Sequence, residues 1–191
     1  PQNPKTPQFS INNYLLNMLK YAISLGFVMA GPEEEKFTTL PGGATFTTDS
    51  YSGYLPVTET KSLHYVYVES QSAPADDPVL IWFNGGPGCS SLLGFLQEHG
   101  PWIIDDFETQ IKQNPFPWNK RANVLYIESP AGVGYSIGSG EGDLVQNDMT
   151  QSEDAFIALK AWFKKFPERK ANPLWVSGES YGGIYVPYLT W

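Results

Sequence analysis

The sequence predicts an α/β fold with a doubly wound, mainly parallel sheet, because short apolar runs alternate with helical patterns. Three runs, 79–83, 123–128 and 174–176, are apolar almost throughout, as is typical of strands that are covered on both faces. Between the second and third runs, apolar residues recur with helical spacing over 155–166. The runs are separated by the length of a crossover connection, and such connections join parallel strands.

Two further strands are expected ahead of the parallel part. Residues 42–55 are rich in Gly, Thr, Ser and Tyr, a composition that favours turns and an edge strand. Residues 63–69 are β-branched and aromatic, which favours a second strand. We therefore expect an antiparallel pair near residues 52 and 63 that leads into the parallel sheet. The acidic residues 33–35 before this pair are interpreted as a solvated surface.

Composition limits the classes of function. The chain has 191 residues, of which 41% are hydrophobic and 15% aromatic, so it can bury one sizeable core in one domain. A formal net charge of -8 argues against nucleic acid as a partner, because no cluster of Lys and Arg neutralises a phosphate backbone. Two histidines and one cysteine without a ligand pattern give no support for a metal ion or another cofactor. No uncharged apolar run reaches the roughly 18 residues that a membrane span needs.

The beginning of the chain divides into two parts. Residues 1–17 are polar, with scattered prolines and no periodicity, so they predict an unstructured extension. Residues 18–30 combine one lysine, about ten largely apolar residues and a Val28-x-Ala30 ending, which is the pattern of a secretory signal peptide. Met18 is then a candidate initiator. A buried amphipathic helix is the alternative interpretation of 18–30, because the apolar stretch is short for a signal.

The functional interpretation depends most on residues 174–183. Here a short apolar run ends in Gly178-x-Ser180-x-Gly182 and an apolar helical pattern follows. A strand that bends sharply into a helix at such a sequence forms a nucleophile elbow: its glycines lack the Cβ that would clash in the bend, and its serine hydroxyl is exposed at the turn. Ser180 is therefore the candidate nucleophile. An ordinary glycine turn after a buried strand is the alternative.

A second glycine-rich segment, residues 84–91, follows the strand predicted at 79–83, and we call it the glycine loop. Its glycines, Gly85, Gly86 and Gly88, allow the backbone to approach a ligand closely and to direct N–H groups towards it. We expect the donors of an oxyanion hole here, and a tight turn that binds nothing is the alternative. Both glycine-rich segments follow the carboxyl ends of predicted parallel strands, where the functional loops of such sheets lie.

Four segments taken together resemble one enzyme family. They are NGGPGCSS at 84–91, PWN at 117–119, ESPAGVG at 128–134 and GESYGG at 178–183. In this order and spacing the chain closely resembles the serine carboxypeptidases of the α/β-hydrolase fold, the family of lysosomal and vacuolar acid carboxypeptidases. The resemblance covers about residues 42–191, so we expect this region to form the N-terminal part of a serine carboxypeptidase domain.

The resemblance implies roles for individual residues. Ser180 corresponds to the nucleophile, and the backbone N–H groups of Gly86 and Tyr181 correspond to the oxyanion hole. Two fixed donors in a dry site stabilise the negative oxygen of a tetrahedral intermediate. The substrate implied is the C-terminus of a peptide. The positions that bind its terminal carboxylate correspond to Asn84, Gly85, Glu98 and Glu179.

Two glutamates in an anion-binding site require an explanation. If they lie close together, repulsion between like charges and burial keep one carboxyl protonated, and this carboxyl then donates a hydrogen bond to the anion. Binding of the terminal carboxylate is then expected to weaken as the pH rises, which implies an acid pH optimum. Without the resemblance, Glu98 alone would be interpreted as a surface residue of a helix.

The family orders its triad as Ser, Asp and His, whereas this chain ends eleven residues after Ser180. Neither His64 nor His99 fits the general base, because both precede the serine, and each is interpreted as an ordinary partly buried or surface histidine. Asp148 and Asp154 also precede it and are assigned to the start of a helix. Since a serine without a base is a weak nucleophile, we expect the sequence to be the N-terminal part of a longer enzyme, inactive and poorly stable alone.

The resemblance also bears on the compartment and on the single cysteine. It implies the secretory pathway, with a secreted, lysosomal or vacuolar location. In such an oxidising compartment it further implies a disulfide between Cys89 and a cysteine outside the present sequence. A buried free thiol is the alternative for Cys89.

Two other functions are open on the sequence. An acyltransferase on the same scaffold would share an acyl-enzyme at Ser180 and would differ in the acceptor that enters the site. A non-catalytic binding or protective homologue would lack a complete triad.

Overall fold

A computed structural model of the protein describes residues 31–104 and 111–191. The predicted extension at 1–17 and the predicted signal at 18–30 lie outside these residues. In chain order the elements are α1 (Pro32–Glu35), β1 (Lys36–Thr39), β2 (Thr45–Pro56), β3 (Lys61–Val68), β4 (Val79–Phe83), a π-helical turn (Gly94–Glu98), β5 (Trp102–Ile104), β6 (Ile111–Gln113), a 3-10 turn (Trp118–Lys120), β7 (Asn123–Ile127), β8 (Ile137–Gly138), α2 (Asp148–Lys165), a second 3-10 turn (Pro167–Ala171), β9 (Leu174–Gly178) and α3 (Gly182–Thr190).

The three apolar runs form adjacent parallel strands, as the sequence predicts. β4 lies between β7 and β9 and runs parallel to both. Its residues are almost all buried, because the helices α2 and α3 cover one face of the sheet and the segment that follows β4 covers the other. The carboxyl ends of the three strands lie at the same edge of the sheet, which is where functional loops are expected.

The antiparallel part of the sheet is larger than predicted. The strand order is β1-β2-β3-β7-β4-β9, and β1, β2, β3 and β7 pair antiparallel in succession. The prediction of an edge strand within 42–55 is wrong, because β2 pairs on both sides. The edge strand at this end of the sheet is β1, which is too short for its pattern to be recognised in the sequence. The α/β class is confirmed, with a mixed sheet.

The prediction of a solvated acidic surface at 33–35 is wrong for one residue. Glu33 and Glu34 are exposed, but the side chain of Glu35 is buried beneath β2. Its carboxylate accepts hydrogen bonds from Lys165 Nζ and from the Tyr65 hydroxyl, both at 2.6 Å. An ionised group leaves water without a large penalty only when it is paired in this way.

The core forms on both faces of the sheet. On one face Tyr67, Trp162 and Phe166 pack with ring centroids 5.0 to 5.2 Å apart. On the other face Phe95 packs against Tyr126 at 5.2 Å. None of the helices in the described residues is long and apolar enough to span a membrane.

Helix α2 begins with a side-chain cap. Asn147 Oδ1 accepts hydrogen bonds from the amides of Met149 and Thr150, both at 3.0 Å, and this satisfies donors that would otherwise lack a partner in the first turn. Asp148 lies in that first turn, as assigned from the sequence. Asp154 does not: it lies in the second turn, and its carboxylate pairs with Lys61 of β3 at 2.8 Å.

Candidate active site

The bend predicted at 178–182 is present. β9 ends at Gly178, α3 begins at Gly182, and Ser180 between them has φ 52°, a left-handed conformation that is strained for a residue with a side chain. The flanking glycines are required by the packing of the bend on β4. A Cβ atom would lie 2.8 Å from the Phe83 carbonyl oxygen at Gly178 and 2.9 Å from it at Gly182. The side chain of Ser180 is therefore presented at an exposed turn.

The glycine loop packs directly against this bend. A Cβ atom on Gly85 would lie 2.6 Å from the backbone nitrogen of Tyr181 and 2.9 Å from Ser180 Cβ, so a side chain at 85 has no room. The Cys89 amide donates to the Gly85 carbonyl at 3.0 Å and closes the loop. Gly86, with φ 112°, is exposed next to Gly85. The structure thus brings Gly85, Ser180 and Tyr181 together at the carboxyl ends of β4 and β9, and Gly86 is the next residue in the chain after Gly85.

Asn84 links the two glutamates singled out in the sequence. Its side-chain amide nitrogen donates to Glu98 Oε1 at 3.0 Å and to Glu179 Oε1 at 2.8 Å. We call these three residues the carboxylate cluster. Asn84 is buried, whereas Glu98 and Glu179 are exposed. The two carboxylate oxygens therefore lie within the reach of one nitrogen atom, beside Ser180, and remain accessible to a ligand.

Hydrogen bonds from Trp82 and Gly94 fix the orientation of the Asn84 side-chain amide. Its Oδ1 atom accepts hydrogen bonds from Trp82 Nε1 at 2.8 Å and from the Gly94 amide at 2.9 Å. Both donors and both acceptor positions of the side chain are in use, so Asn84 could donate to an anion only in place of its bond to Glu98 or to Glu179. Sequence reasoning missed Gly94, because no local pattern marks a residue that orients another side chain.

Both histidines are buried, so the interpretation of either as a surface residue is wrong. The ring nitrogens of His64 lie 2.9 Å from Ser52 Oγ and 2.9 Å from Glu128 Oε2. The ring of His99 stacks on Trp118 with centroids 3.9 Å apart, and burial lowers the pKa of His99 to about 4. His99 is therefore neutral at neutral pH, behind the carboxylate cluster.

Asp148 contacts the bend in addition to its place in α2. The Tyr181 hydroxyl donates to Asp148 Oδ1 at 3.0 Å. This hydrogen bond to a carboxylate raises the pKa of the Tyr181 hydroxyl above its usual value. Asp148 thus ties the start of α2 to the start of α3.

Cys89 is an exposed free thiol at the end of the glycine loop. The alternative of a buried thiol is therefore wrong for the described residues. An exposed cysteine is available for a disulfide with a partner outside them.

Comparisons with known proteins agree on one family. Residues 41–191 match the family model of the serine carboxypeptidases. The chain is 50% identical over 161 residues to the lysosomal protective protein of Mus musculus, covering 84% of this chain and 34% of that protein. It is 47% identical over 171 residues to the serine carboxypeptidase ctsa-4.1 of Caenorhabditis elegans, covering 88% of this chain and 36% of that protein.

The fold of a solved carboxypeptidase structure agrees with this family assignment. The crystal structure of Kex1(delta)p, a prohormone-processing carboxypeptidase from Saccharomyces cerevisiae, aligns with a TM-score of 0.75 at 25% identity, covering 85% of this chain and 38% of that one. The mixed sheet and the serine bend that ends β9 define a protein of the α/β-hydrolase fold. Within that class, the chain belongs to the serine carboxypeptidase family. It spans about a third of the length of the curated relatives it matches.

Proposed function

We propose that the complete protein containing this chain is a serine carboxypeptidase that releases C-terminal residues from peptides. Ser180 Oγ attacks the carbonyl carbon of the last peptide bond, and the electron pair of the carbonyl moves to its oxygen. A general base takes the proton of Ser180 Oγ and passes it to the amine of the terminal residue, which leaves as the C–N bond breaks and the carbonyl re-forms in an acyl-enzyme. Water then hydrolyses the ester bond of the acyl-enzyme, which releases the shortened peptide and frees Ser180. The amides of Gly86 and Tyr181 stabilise the oxyanion in each step.

The observation that carries the proposal is the contact between the glycine loop and the bend. Gly85 lies against the Tyr181 amide and Ser180 Cβ, so a carbonyl group next to the serine hydroxyl lies close to the start of the glycine loop, where Gly86 follows Gly85. Rigid donors that already point at the reacting oxygen need no reorganisation when charge develops there.

The carboxylate cluster supports an exopeptidase over an endopeptidase. Asn84 and Glu179 lie next in the chain to Gly85 and Ser180, which contact each other, so a terminal carboxylate bound at the cluster would place the last peptide bond near Ser180. Two acidic side chains within reach of one amide nitrogen repel an anion when they are charged. We therefore propose an acid pH optimum for peptide hydrolysis.

The proposal requires a general base that the two histidines of this chain do not provide. His64 is engaged with Ser52 and Glu128, and His99 is buried in an aromatic stack. We assign the base and its aspartate to the remainder of the complete protein, since the chain spans about a third of the length of its relatives.

The location follows from the same family membership. We propose a protein of the secretory pathway, either secreted or retained in a lysosome or vacuole, in line with the name of its mouse relative. In that compartment exposed Cys89 forms a disulfide with a cysteine of the remainder. This bond would tether the end of the glycine loop.

The test compares the complete protein with Ser180→Ala and with Ser177→Ala. Ser177 is a matched control in β9, because its hydroxyl donates to the Ile81 carbonyl within the sheet at 3.1 Å. A fluorophosphonate should label the parent and Ser177→Ala and should not label Ser180→Ala. The parent should shorten a peptide with a free C-terminus and should leave the C-terminally amidated peptide intact.

Other outcomes identify the rival functions. Labelling of Ser180 together with transfer of an activated acyl ester to an alcohol, without peptide hydrolysis, would identify an acyltransferase. A complete protein that is folded but neither labelled nor active would be a binding or protective homologue.

A further inference from the structure

Glu128 is a fully buried carboxylate that the proposed mechanism does not use. It directly follows β7, and its exposed fraction is 0%. An ionised group in such a place is costly unless hydrogen bonds and an opposite charge compensate it. Its contacts therefore need an explanation.

Three donors from different segments converge on this carboxylate. Oε2 accepts from the Tyr135 amide at 2.9 Å and lies 2.9 Å from His64 Nδ1 of β3. Oε1 accepts a hydrogen bond from the Ser90 hydroxyl. A Cβ atom at Gly134, where φ is 54°, would overlap the carboxylate. The surrounding chain is thus shaped around Glu128.

These contacts favour the charged form of the carboxyl group. Burial alone would raise the pKa of Glu128, but the hydrogen bonds from His64, Ser90 and Tyr135 outweigh it and the pKa lies below its usual value. Among the described residues, His64 is the basic group in contact with the Glu128 carboxylate. The charge of Glu128 also acts on the Tyr54 hydroxyl of β2, a further titratable group, and helps to raise the pKa of Tyr54. A hydrogen bond to an ionised acceptor is roughly twice as strong as a neutral one, so Ser90 is held firmly.

Ser90 belongs to the glycine loop, which is attached to the end of β7 at two points. Ser91 Oγ donates to the Ile127 carbonyl at 2.7 Å and accepts from the backbone N–H of Asn84 at 3.2 Å. Ser90 adds the bond to Glu128. Gly86 lies between these attachments and Asn84, in a turn that the Cys89 amide closes on the Gly85 carbonyl.

We propose that Glu128 is a positioning residue for the oxyanion hole: its buried carboxylate holds Ser90, and Ser90 holds the part of the glycine loop that carries the Gly86 amide. This inference rests on the proposed function. Loss of the bond lets the loop shift away from Ser180, and a displacement of about 1 Å at a catalytic donor is enough to lower the rate strongly. The effect appears in kcat, because the oxyanion forms only in the transition state.

The experiment measures kcat and KM of the complete protein with two substrates, a peptide with a free C-terminus and a neutral activated ester without a terminal carboxylate. Ser90→Ala removes the hydroxyl and keeps the His64–Glu128 pair; Glu128→Gln removes the charge. Each variant should lower kcat about tenfold or more on both substrates with little change in KM. Because both substitutions remove the same hydrogen bond between Ser90 and Glu128, the kcat of the double variant should be no lower than that of the slower single variant.

Ser136→Ala is the matched control. The Ser136 hydroxyl lies in the same buried cluster but contacts the backbone of Glu128 and His64, at 2.6 and 2.8 Å, and not the carboxylate. It should lower the melting temperature while kcat stays within about twofold of the parent.

The outcomes separate the two proposals. A folded, active parent whose kcat is unchanged by Ser90→Ala contradicts the positioning role even if Glu128→Gln fails to fold. A loss confined to the peptide substrate also contradicts it, because the oxyanion hole serves both reactions. A parent that cleaves neither substrate contradicts the proposed function and this inference with it.

Discussion

Gly85 lies so close to Ser180 that a Cβ atom on Gly85 would approach Ser180 Cβ to 2.9 Å. The same atom would lie 2.6 Å from the Tyr181 backbone nitrogen and 2.8 Å from the Glu179 carbonyl oxygen. These neighbours are backbone or short side-chain atoms, which cannot move aside cheaply. The contact between the two glycine-rich segments therefore depends on the absence of a side chain at 85.

We first predict that Gly85→Ala lowers kcat/KM for peptide hydrolysis by about a hundredfold or more, because the glycine loop must move away from the bend. Gly183→Ala is the control, since a Cβ atom there meets nothing within 4 Å, and it should leave kcat/KM nearly unchanged. Steady-state kinetics on the complete protein check this. Equal activity of the two variants would show that the segments need not touch.

The second prediction concerns the pH dependence of substrate binding. Replacing both Glu98 and Glu179 by Gln removes the repulsion between two carboxylates that share one amide donor. The rise of KM for a peptide with increasing pH should therefore flatten, whereas the pH profile for a neutral ester should stay as in the parent.

The control for this prediction also removes two carboxyl groups, but at positions away from the carboxylate cluster. Glu153 and Glu168 are exposed residues in or next to α2, and their double Gln variant should keep the parent profile. An unchanged acid preference for peptides in the Glu98 and Glu179 variant would argue against these two carboxyl groups as the cause.

The third prediction concerns stability in acid. Burial lowers the pKa of His99 from 6.5 to about 4, so between these values the unfolded chain binds a proton that the folded chain does not. Stability contributed by neutral His99 is complete above about pH 6.5 and is lost as the pH falls towards 4, by at most about 3 kcal/mol. His99→Phe should shrink the fall in Tm between pH 7 and pH 4.5. An identical fall in both proteins would contradict the assignment.

The fourth prediction concerns the buried ion pair below β2. Among the described residues, Lys165→Leu leaves the Glu35 carboxylate with the Tyr65 hydroxyl as its one hydrogen-bond donor, and we expect a loss of about 3 kcal/mol in the free energy of unfolding. Lys164→Leu, one position earlier and exposed, should change it by less than about 0.5 kcal/mol. Denaturant titration of the complete protein checks both values. A similar small loss of stability in each variant would mean that water can replace Lys165 in stabilising the Glu35 carboxylate.

Local patterns were sufficient for the elements around the site. The three parallel strands and the bend at Ser180 follow from short-range rules: continuous apolar runs, and glycines where the chain passes the Phe83 carbonyl. Local patterns failed at β1, because four residues carry too little periodicity. They also failed for Glu35, whose partner Lys165 lies far along the chain.

The sequence by itself determined the fold class, the family and the serine at the bend, because each depends on residues that are neighbours in the chain or on segments in a fixed order. Only the tertiary structure decided that Asn84 joins Glu98 to Glu179, that both histidines are buried and that Glu128 holds Ser90. The residues in these contacts come from different segments of the chain, and the order of the strands in the sheet brings those segments together. A pattern of neighbouring residues does not encode which distant side chains meet, since that depends on how the whole chain packs.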